Sequence, residues 1–371
     1  MSDRPPIVVL LGGPSAEHDV SIVSGTAIAE ALMGSGYAVE QTLIDLDGGW
    51  WQLPEGHVRA GRPQSAYDDP AALGASGPTT VGAALDRLAA MRPAPVVFIA
   101  LHGPFGEDGT VQALLEAVDV AYTGSGVAAS ALGMDKALFK RLCRGIGLPV
   151  VDWREIRADR WAADPAAVRA ELDAFVATGP DGRLMVKPAR LGSSVGMTLV
   201  HDGTELDAAL AEAFRHDTLA LAESYLPGAR DIEVAVIGSG ADLELFGPGE
   251  IVSGHEFYDY AAKYTAGLSE TSTRAELTDA QRATLKKIAR DAFRAIGGDG
   301  FARVDFLLAG DRIVLSEINT IPGFTPISLF PTMPAEAGYS FADVCIRIVD
   351  LAVARHAARA GRRLTVGDLP R

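Results

Sequence analysis

Apolar positions in this chain occur as unbroken runs, as strict alternation and at helical spacing. Ile7 to Leu11 is an unbroken run ending at Gly12-Gly13, the pattern of a buried parallel strand that feeds a glycine-rich loop. A small-residue helix to about Met33, a strand from Tyr37 to Ile44, a helix from about Val81 to Met91 and a second apolar run from Val96 to Leu101 follow. The stretch from Asp47 to about Thr79 lacks sustained period and reads as an irregular excursion. After residue 125 the pattern changes. A helix is predicted from Ala128 through Lys136 to about Gly145, then strands at Val150 to Ile156, Leu184 to Lys187 and Val195 to Val200. Thr204-x-x-Asp207 reads as the start of a further helix. Strands at Thr218 to Tyr225, Asp231 to Ile237 and Leu243 to Val252 continue in an antiparallel pattern. Thr278-x-x-Gln281 has the spacing of a capping box for a helix to about Ile296, and Ser340-x-x-Asp343 opens the last helix, beyond which an Arg-rich tail reads as a frayed end.

The most informative stretch is Phe301 to Leu329. Phe301 to Leu308 alternates, Ala309-Gly310-Asp311 supplies a turn, and Arg312 to Glu317 resumes the strand. Side chains two apart share a face of a strand, so Arg303 and Asp305 point one way, as do Glu317 and Asn319. With both pairs on one side, the hairpin presents two carboxylates, an amide oxygen and a guanidinium. Such oxygen ligands suit Mg²⁺ together with phosphate, and Arg303 would sit over charge developing during phosphoryl or acyl transfer. The Pro- and Gly-punctuated loop after Asn319 lies where sites gather.

Other segments carry chemistry too. The loop Ala189 to Gly196, between two apolar strands with Lys187 at its root, can cover phosphates with backbone N–H groups and hydroxyls. His102 stands at the C-terminal end of a strand, facing the crevice where open α/β sheets bind ligands. His255 to Leu268 is aromatic, charged and aperiodic, which predicts a lid. Neither GxGxxG nor a P-loop is present.

Composition narrows the classes. A chain of 371 residues with 48% hydrophobic and 22% charged residues has the length for two or three domains and the composition of a globular protein. A formal charge of −15 argues against nucleic acid or an anionic membrane as partner. Only six of the 33 basic residues are lysines: Lys136, Lys187 and Lys263 fall in motifs, whereas Lys140, Lys286 and Lys287 sit on helices with no evident task. Cys143 and Cys345 are isolated and read as core residues of a protein in a reducing, cytoplasmic setting. The N-terminal apolar run is too short for a signal peptide, and no run reaches the ~18 residues of a membrane span.

Taken together, GGPSAEHDVS, HGPFGEDG, MDK, VKPARLGSSVG, FYDYAAKY, RVDFLL and SEINTIPGFTPISLFP resemble, in order, the D-alanine–D-alanine ligase family of the ATP-grasp superfamily. The likeness spans residues 12 to 334. It implies an α/β chain (α+β in its ATP-grasp part) with a Rossmann-like domain over 1–126, a small ATP-grasp domain over 127–217 and a C-terminal one over 218–371, whose antiparallel sheets hold ATP between them. It implies that Asp305, Glu317 and Asn319 bind two Mg²⁺ ions, with Mn²⁺ as a substitute. Lys136, Lys187, Ser194, Glu223 and Asp231 fall on the ATP side. Glu17 would take the ammonium of the first D-alanine with His102 nearby, and Ser328 and Leu329 the carboxylate of the second. Arg303 and the Gly323 N–H would stabilise the oxyanion, while Lys263 and Tyr264 close the lid, Tyr264 joining Glu17 and Ser193 in a hydrogen-bonded set. The chain departs from the family at Asp231 and Ala261, where glutamate is common. The resemblance also implies a homodimer and the synthesis of D-alanyl-D-alanine for peptidoglycan through an acylphosphate. The alternatives are ligation of D-alanine to D-lactate or D-serine, another carboxylate–amine ligase, and a nucleotide-binding module without chemistry.

Overall fold

A computed structural model describes residues 4–179, 181–253 and 269–360. The chain is mixed α/β, and its described residues build three sheets. The first contains β1 (Ile7–Gly12), β2 (Val39–Ile44), β3 (Trp50–Gln52), β4 (Ser76–Thr79), β5 (Val96–Ile99) and β6 (Ala121–Tyr122), in the order β4-β3-β2-β1-β5-β6. Its centre is parallel, and β1 and β5 are buried along their whole length, which explains their unbroken apolar runs. The excursion from residue 47 to 79 is not wholly irregular. The short β3 and β4 add antiparallel to one edge of this sheet, and with three and four residues they are too short for alternation to show.

The second sheet contains β7 (Trp153–Arg157), β8 (Leu184–Pro188), β9 (Thr198–Val200) and β10 (Leu219–Ser224), in the order β7-β10-β8-β9. The third contains β11 (Arg230–Ser239), β12 (Asp242–Ser253), β13 (Ser269–Ser272), β14 (Gly300–Ala309) and β15 (Arg312–Asn319), in the order β13-β12-β11-β14-β15. Both sheets are antiparallel throughout.

Three local expectations need correction. The helix from Ala128 to Gly145 is two helices, Val127–Met134 and Lys136–Gly145. Asp135 leaves helical geometry between them and caps the second through a bond from the Leu138 N–H to its carboxylate. Thr204 does not cap the following helix: its hydroxyl bonds Asp202, and the helix starts at Leu206 without a side-chain cap. The strand at 195–200 shortens to Thr198–Val200, which lengthens the loop before it. The capping box at Thr278/Gln281 forms in both directions, and Ser340 and Asp343 bond reciprocally ahead of Phe341–Ala360. The tail after residue 360 lies outside the described residues.

Aromatic packing joins the first and third sheets. Phe98 of β5 meets Phe324 edge-on at 6.0 Å, and Phe324 meets Phe301 of β14 at 6.1 Å. Phe324, fully buried, thereby pins the loop after β15 against the C-terminal end of the first sheet. His102 also lies at that end. Cys143 and Cys345 are free and buried, and burial pushes the Cys143 thiol up to about 12, so neither is set up as a nucleophile. Among the described residues, no helix is long and apolar enough to cross a membrane.

Candidate active site

The hairpin β14–β15 supplies one wall of the site. Ala302, Val304, Phe306 and Leu308 point into the core beneath the third sheet, and the intervening residues point to the opposite face. The register sets Asp305 opposite Glu317 and Arg303 opposite Asn319, with a bulge just after Asp305. The guanidinium of Arg303 donates to both oxygens of Asp305, each at 2.7 Å, and Asn319 Nδ2 donates to Asp305 Oδ2 at 2.9 Å. This leaves the amide oxygen of Asn319 as the acceptor of the set. Arg303 Nε also lies 3.1 Å from Glu233 Oε1 on β11. Burial works against the charge of Arg303, but Asp305 and Glu233 overcome it and hold its pKa well above the usual value. Two carboxylates and an amide oxygen fit Mg²⁺ with phosphate oxygens completing the shell. Among the described residues, no three His, Cys, Asp or Glu side chains form a metal cage by themselves.

Lys136 reaches Glu317 from across the cleft, Nζ to Oε2 at 3.2 Å, and donates at 2.7 Å to the Leu191 carbonyl of the glycine–serine loop. Burial pulls the Lys136 ammonium down, yet Glu317 more than offsets this and the pKa is raised. The same loop meets Glu17. Ser193 Oγ donates to Glu17 Oε1, and a Cβ on Gly192 or on Gly103 would come within 2.6 Å or 2.5 Å of Glu17 Oε2. The carboxylate thus lies in a cradle that only glycine permits. Its Oε2 is buried without a hydrogen-bond partner among the described residues, which suits a substrate ammonium. Ser193 and Ser194 both adopt left-handed backbone, at φ of 52° and 57°. That conformation costs roughly 1 kcal/mol or more for each such residue, so contacts from elsewhere hold the loop.

A cleft of about 160 Å³ opens between the second and third sheets, with Lys187, Ser194, Glu223, Asp231, Asp305 and Glu317 among its lining residues. Met185, Leu226 and Leu307 make part of it apolar, as a flat heterocycle requires. A smaller hollow of about 30 Å³, bounded by Lys136, Lys187, Glu317 and residues 191–195, lies beneath the loop. Lys187 Nζ is 3.0 Å from Glu223 Oε2.

His102 faces the loop after β15. Its Nδ1 lies 3.0 Å from the Ile321 carbonyl, which fixes a proton on that nitrogen, and Nε2 accepts from Ser24 Oγ at 2.9 Å. Burial lowers its pKa, so it is neutral. Glu107, 3.9 Å from His102, is pushed up to about 8 by burial and by the nearby Glu17. Gly323 lies against Ser328, whose hydroxyl accepts from the Thr325 N–H at 3.1 Å. Leu329 is buried and begins a four-residue helix. Lys263, Tyr264 and the rest of the lid sequence lie outside the described residues.

The structure therefore brings Glu17 and Ser193 together, Lys136 with Glu317, Lys187 with Glu223, and Arg303 with Asp305 and Asn319. Three participants escaped the sequence reading. Glu233 was signalled by the Asp231-x-Glu233 alternation, which puts it on the cleft face. Ser24 had no signal. Lys140, a helix residue to which the sequence alone gives no task, is fully buried and lies 3.1 Å from Glu223; its spacing of four from Lys136 is the available clue.

A family model described as D-ala D-ala ligase N-terminus matches residues 6–125, and one described as D-ala D-ala ligase C-terminus matches residues 142–350. The chain is 40% identical to the D-alanine–D-alanine ligase of Kineococcus radiotolerans, over 95% of this chain and 97% of that one. It is 38% identical to that of Chlorobaculum tepidum, over 94% and 96%. Among solved structures, the D-alanine-D-alanine ligase from Coxiella burnetii superposes with a TM-score of 0.76 at 31% identity, covering 97% of both chains. The VanG D-Ala:D-Ser ligase from Enterococcus faecalis does so at 0.77 and 28%, covering 94% of this chain and all of that one. On the strength of both family models and full-length likeness, this chain belongs to the D-alanine–D-alanine ligase family.

Proposed function

We propose that the protein joins two molecules of D-alanine into D-alanyl-D-alanine with ATP as the driving reagent, by way of a D-alanyl phosphate, and so supplies peptidoglycan precursor synthesis. Family membership over the whole chain supports this reading. The observation in the molecule that carries it is the Glu17 carboxylate, cradled by Gly103 and Gly192 and bonded to Ser193 beside the phosphate-side hollow.

In this reading the second and third sheets form an ATP-grasp pair with the nucleotide between them, behind a Rossmann-like unit, with domains at 1–126, 127–217 and 218–371. Glu17 binds the ammonium of the first D-alanine, and Lys136 and Lys187 neutralise the phosphates. Asp305, Glu317 and Asn319 would hold Mg²⁺, which supplies charge neutralisation at the transferring phosphoryl group. A carboxylate oxygen of the first D-alanine bonds to the γ-phosphorus as the bond to ADP breaks. The free amine of the second D-alanine then attacks the acyl carbon, with its carboxylate held by Ser328 and Leu329. Phosphate leaves and the amine loses a proton. Arg303, kept charged by its buried carboxylates, and the Gly323 N–H face the oxyanion of that second step. Ser193, with Lys263 and Tyr264 of the lid, excludes water that would hydrolyse the acylphosphate. The enzyme works in the cytoplasm, as a homodimer.

Release of phosphate and ADP with each amino acid, D and L, as sole co-substrate tests the reading: release depends on D-alanine and not on L-alanine, and equal release with L-alanine overturns it. The D-Ala:D-Ser likeness favours one second reading, ligation to another D-substrate. With D-alanine set against excess D-serine or D-lactate at pH 6 and 8.5, D-alanyl-D-alanine should dominate, and against D-lactate its share should rise with pH as the free-amine fraction grows.

A further inference from the structure

The helix Lys136–Gly145 places two lysines one turn apart, and only the first has a place in the reaction described above. The second, Lys140, is fully buried and does not line the cleft. Its ammonium lies 3.1 Å from Glu223 Oε1, an ion contact without hydrogen-bond alignment, and 6.0 Å from the centre of the Trp153 ring. Lys187 holds the other oxygen, Oε2, at 3.0 Å. One buried carboxylate is thus shared by a cation in the cleft and a cation behind its wall. A carboxylate and a single lysine would already balance, so the second lysine is a buried charge that the resting pocket does not require.

We propose that Lys140 is a positioning residue for nucleotide binding: it keeps Glu223 paired when the phosphates draw Lys187 away. The inference rests on the reading that Lys187 meets the phosphates of ATP. A Glu223 paired with Lys187 alone would be stranded, buried and charged, when that lysine turned to a phosphate, and the carboxylate would compete with the nucleotide for it. With Lys140 in place, Lys187 is exchanged between two anions and Glu223 stays paired. The cost of removing Lys140 therefore falls on ligands that bear phosphate.

The test is equilibrium binding of ATP, ADP and adenosine to Lys140→Met, with circular dichroism confirming the fold. ATP and ADP affinity should fall roughly tenfold, about the worth of one charged contact. Adenosine affinity should stay within about twofold of wild type, and kcat at saturating ATP should change far less than KM for ATP. Glu223→Gln carries the test in the opposite direction, and does so alone if Lys140→Met fails to fold. With no carboxylate to hold Lys187, the preference for ATP over adenosine should increase. An equal loss of ATP and adenosine affinity in Lys140→Met, or a preference unmoved by Glu223→Gln, overturns the proposal. Lys187→Met separates the two claims: if it leaves the ATP preference intact, the phosphate role of Lys187 falls first.

Discussion

The hairpin β14–β15 and the loop at residues 189–196 both face the cleft, yet they are built in opposite ways. In the hairpin a ladder of backbone bonds and a buried apolar face set the direction of every side chain, so Arg303, Asp305, Glu317 and Asn319 converge with little help from elsewhere. In the loop, two serines adopt left-handed backbone and the chain is held by remote groups: Glu17 on Ser193, Lys136 on Leu191, and Asp217 on Arg190. A rigid wall suits a site for charge transfer, because its dipoles are set before substrate arrives. A segment tied largely by side chains to remote elements can open and close, which a water-excluding cover must do.

The contrast breaks most severely at the wall. Glu317→Gln keeps the shape of the hairpin and removes one carboxylate charge, so kcat should fall on the order of 10²-fold or more while the circular dichroism spectrum is unchanged. ADP formation within a few-fold of wild type at saturating Mg²⁺ would remove Glu317 from the metal set. At the loop, Gly192→Ala drives a Cβ into the Glu17 carboxylate, and relief of that overlap costs about 1–3 kcal/mol. KM for the first D-alanine should rise about tenfold with little change in thermal stability, since Gly192 belongs to no hydrophobic core cluster. A milder probe is the cycle of Ser193→Ala with Glu17→Gln. Coupling on the order of 0.5–3 kcal/mol in kcat/KM is expected, and strict additivity would mean that the Ser193–Glu17 bond does not matter to turnover.

The smallest effect concerns Glu107, whose charged or titratable neighbours are Glu17, His102 and Arg303. Its native pKa of about 8, against an ordinary 4.5, means the folded protein keeps a proton that the unfolded chain has lost between those values. Its contribution to stability is present below about 4.5 and is lost as pH rises through 8. Thermal stability of the wild type should fall from pH 5 to pH 8 relative to Glu107→Gln. Parallel curves would place Glu107 in contact with solvent.

The same contrast explains what the sequence disclosed. Period-two alternation carries the hairpin's geometry directly, so the convergence of Arg303, Asp305, Glu317 and Asn319 was legible from residue spacing. The pairing of Ser193 with Glu17, 176 positions apart, came only from family resemblance, because no local pattern encodes it. Lys140 was missed for the opposite reason: a lysine on a helix reads as solvated, and only the tertiary structure shows it buried against Glu223. The break at Asp135 was written as an N-cap residue three positions before Leu138, but the apolar spacing on either side masked it.

In the proposed reaction this cleft activates a carboxylate by phosphorylating it. D-Alanine labelled with ¹⁸O in its carboxyl group, turned over with ATP and Mg²⁺, should deliver one labelled oxygen to the released phosphate for each dipeptide formed. Phosphate free of label, with dipeptide accumulating, would exclude an acylphosphate on the path.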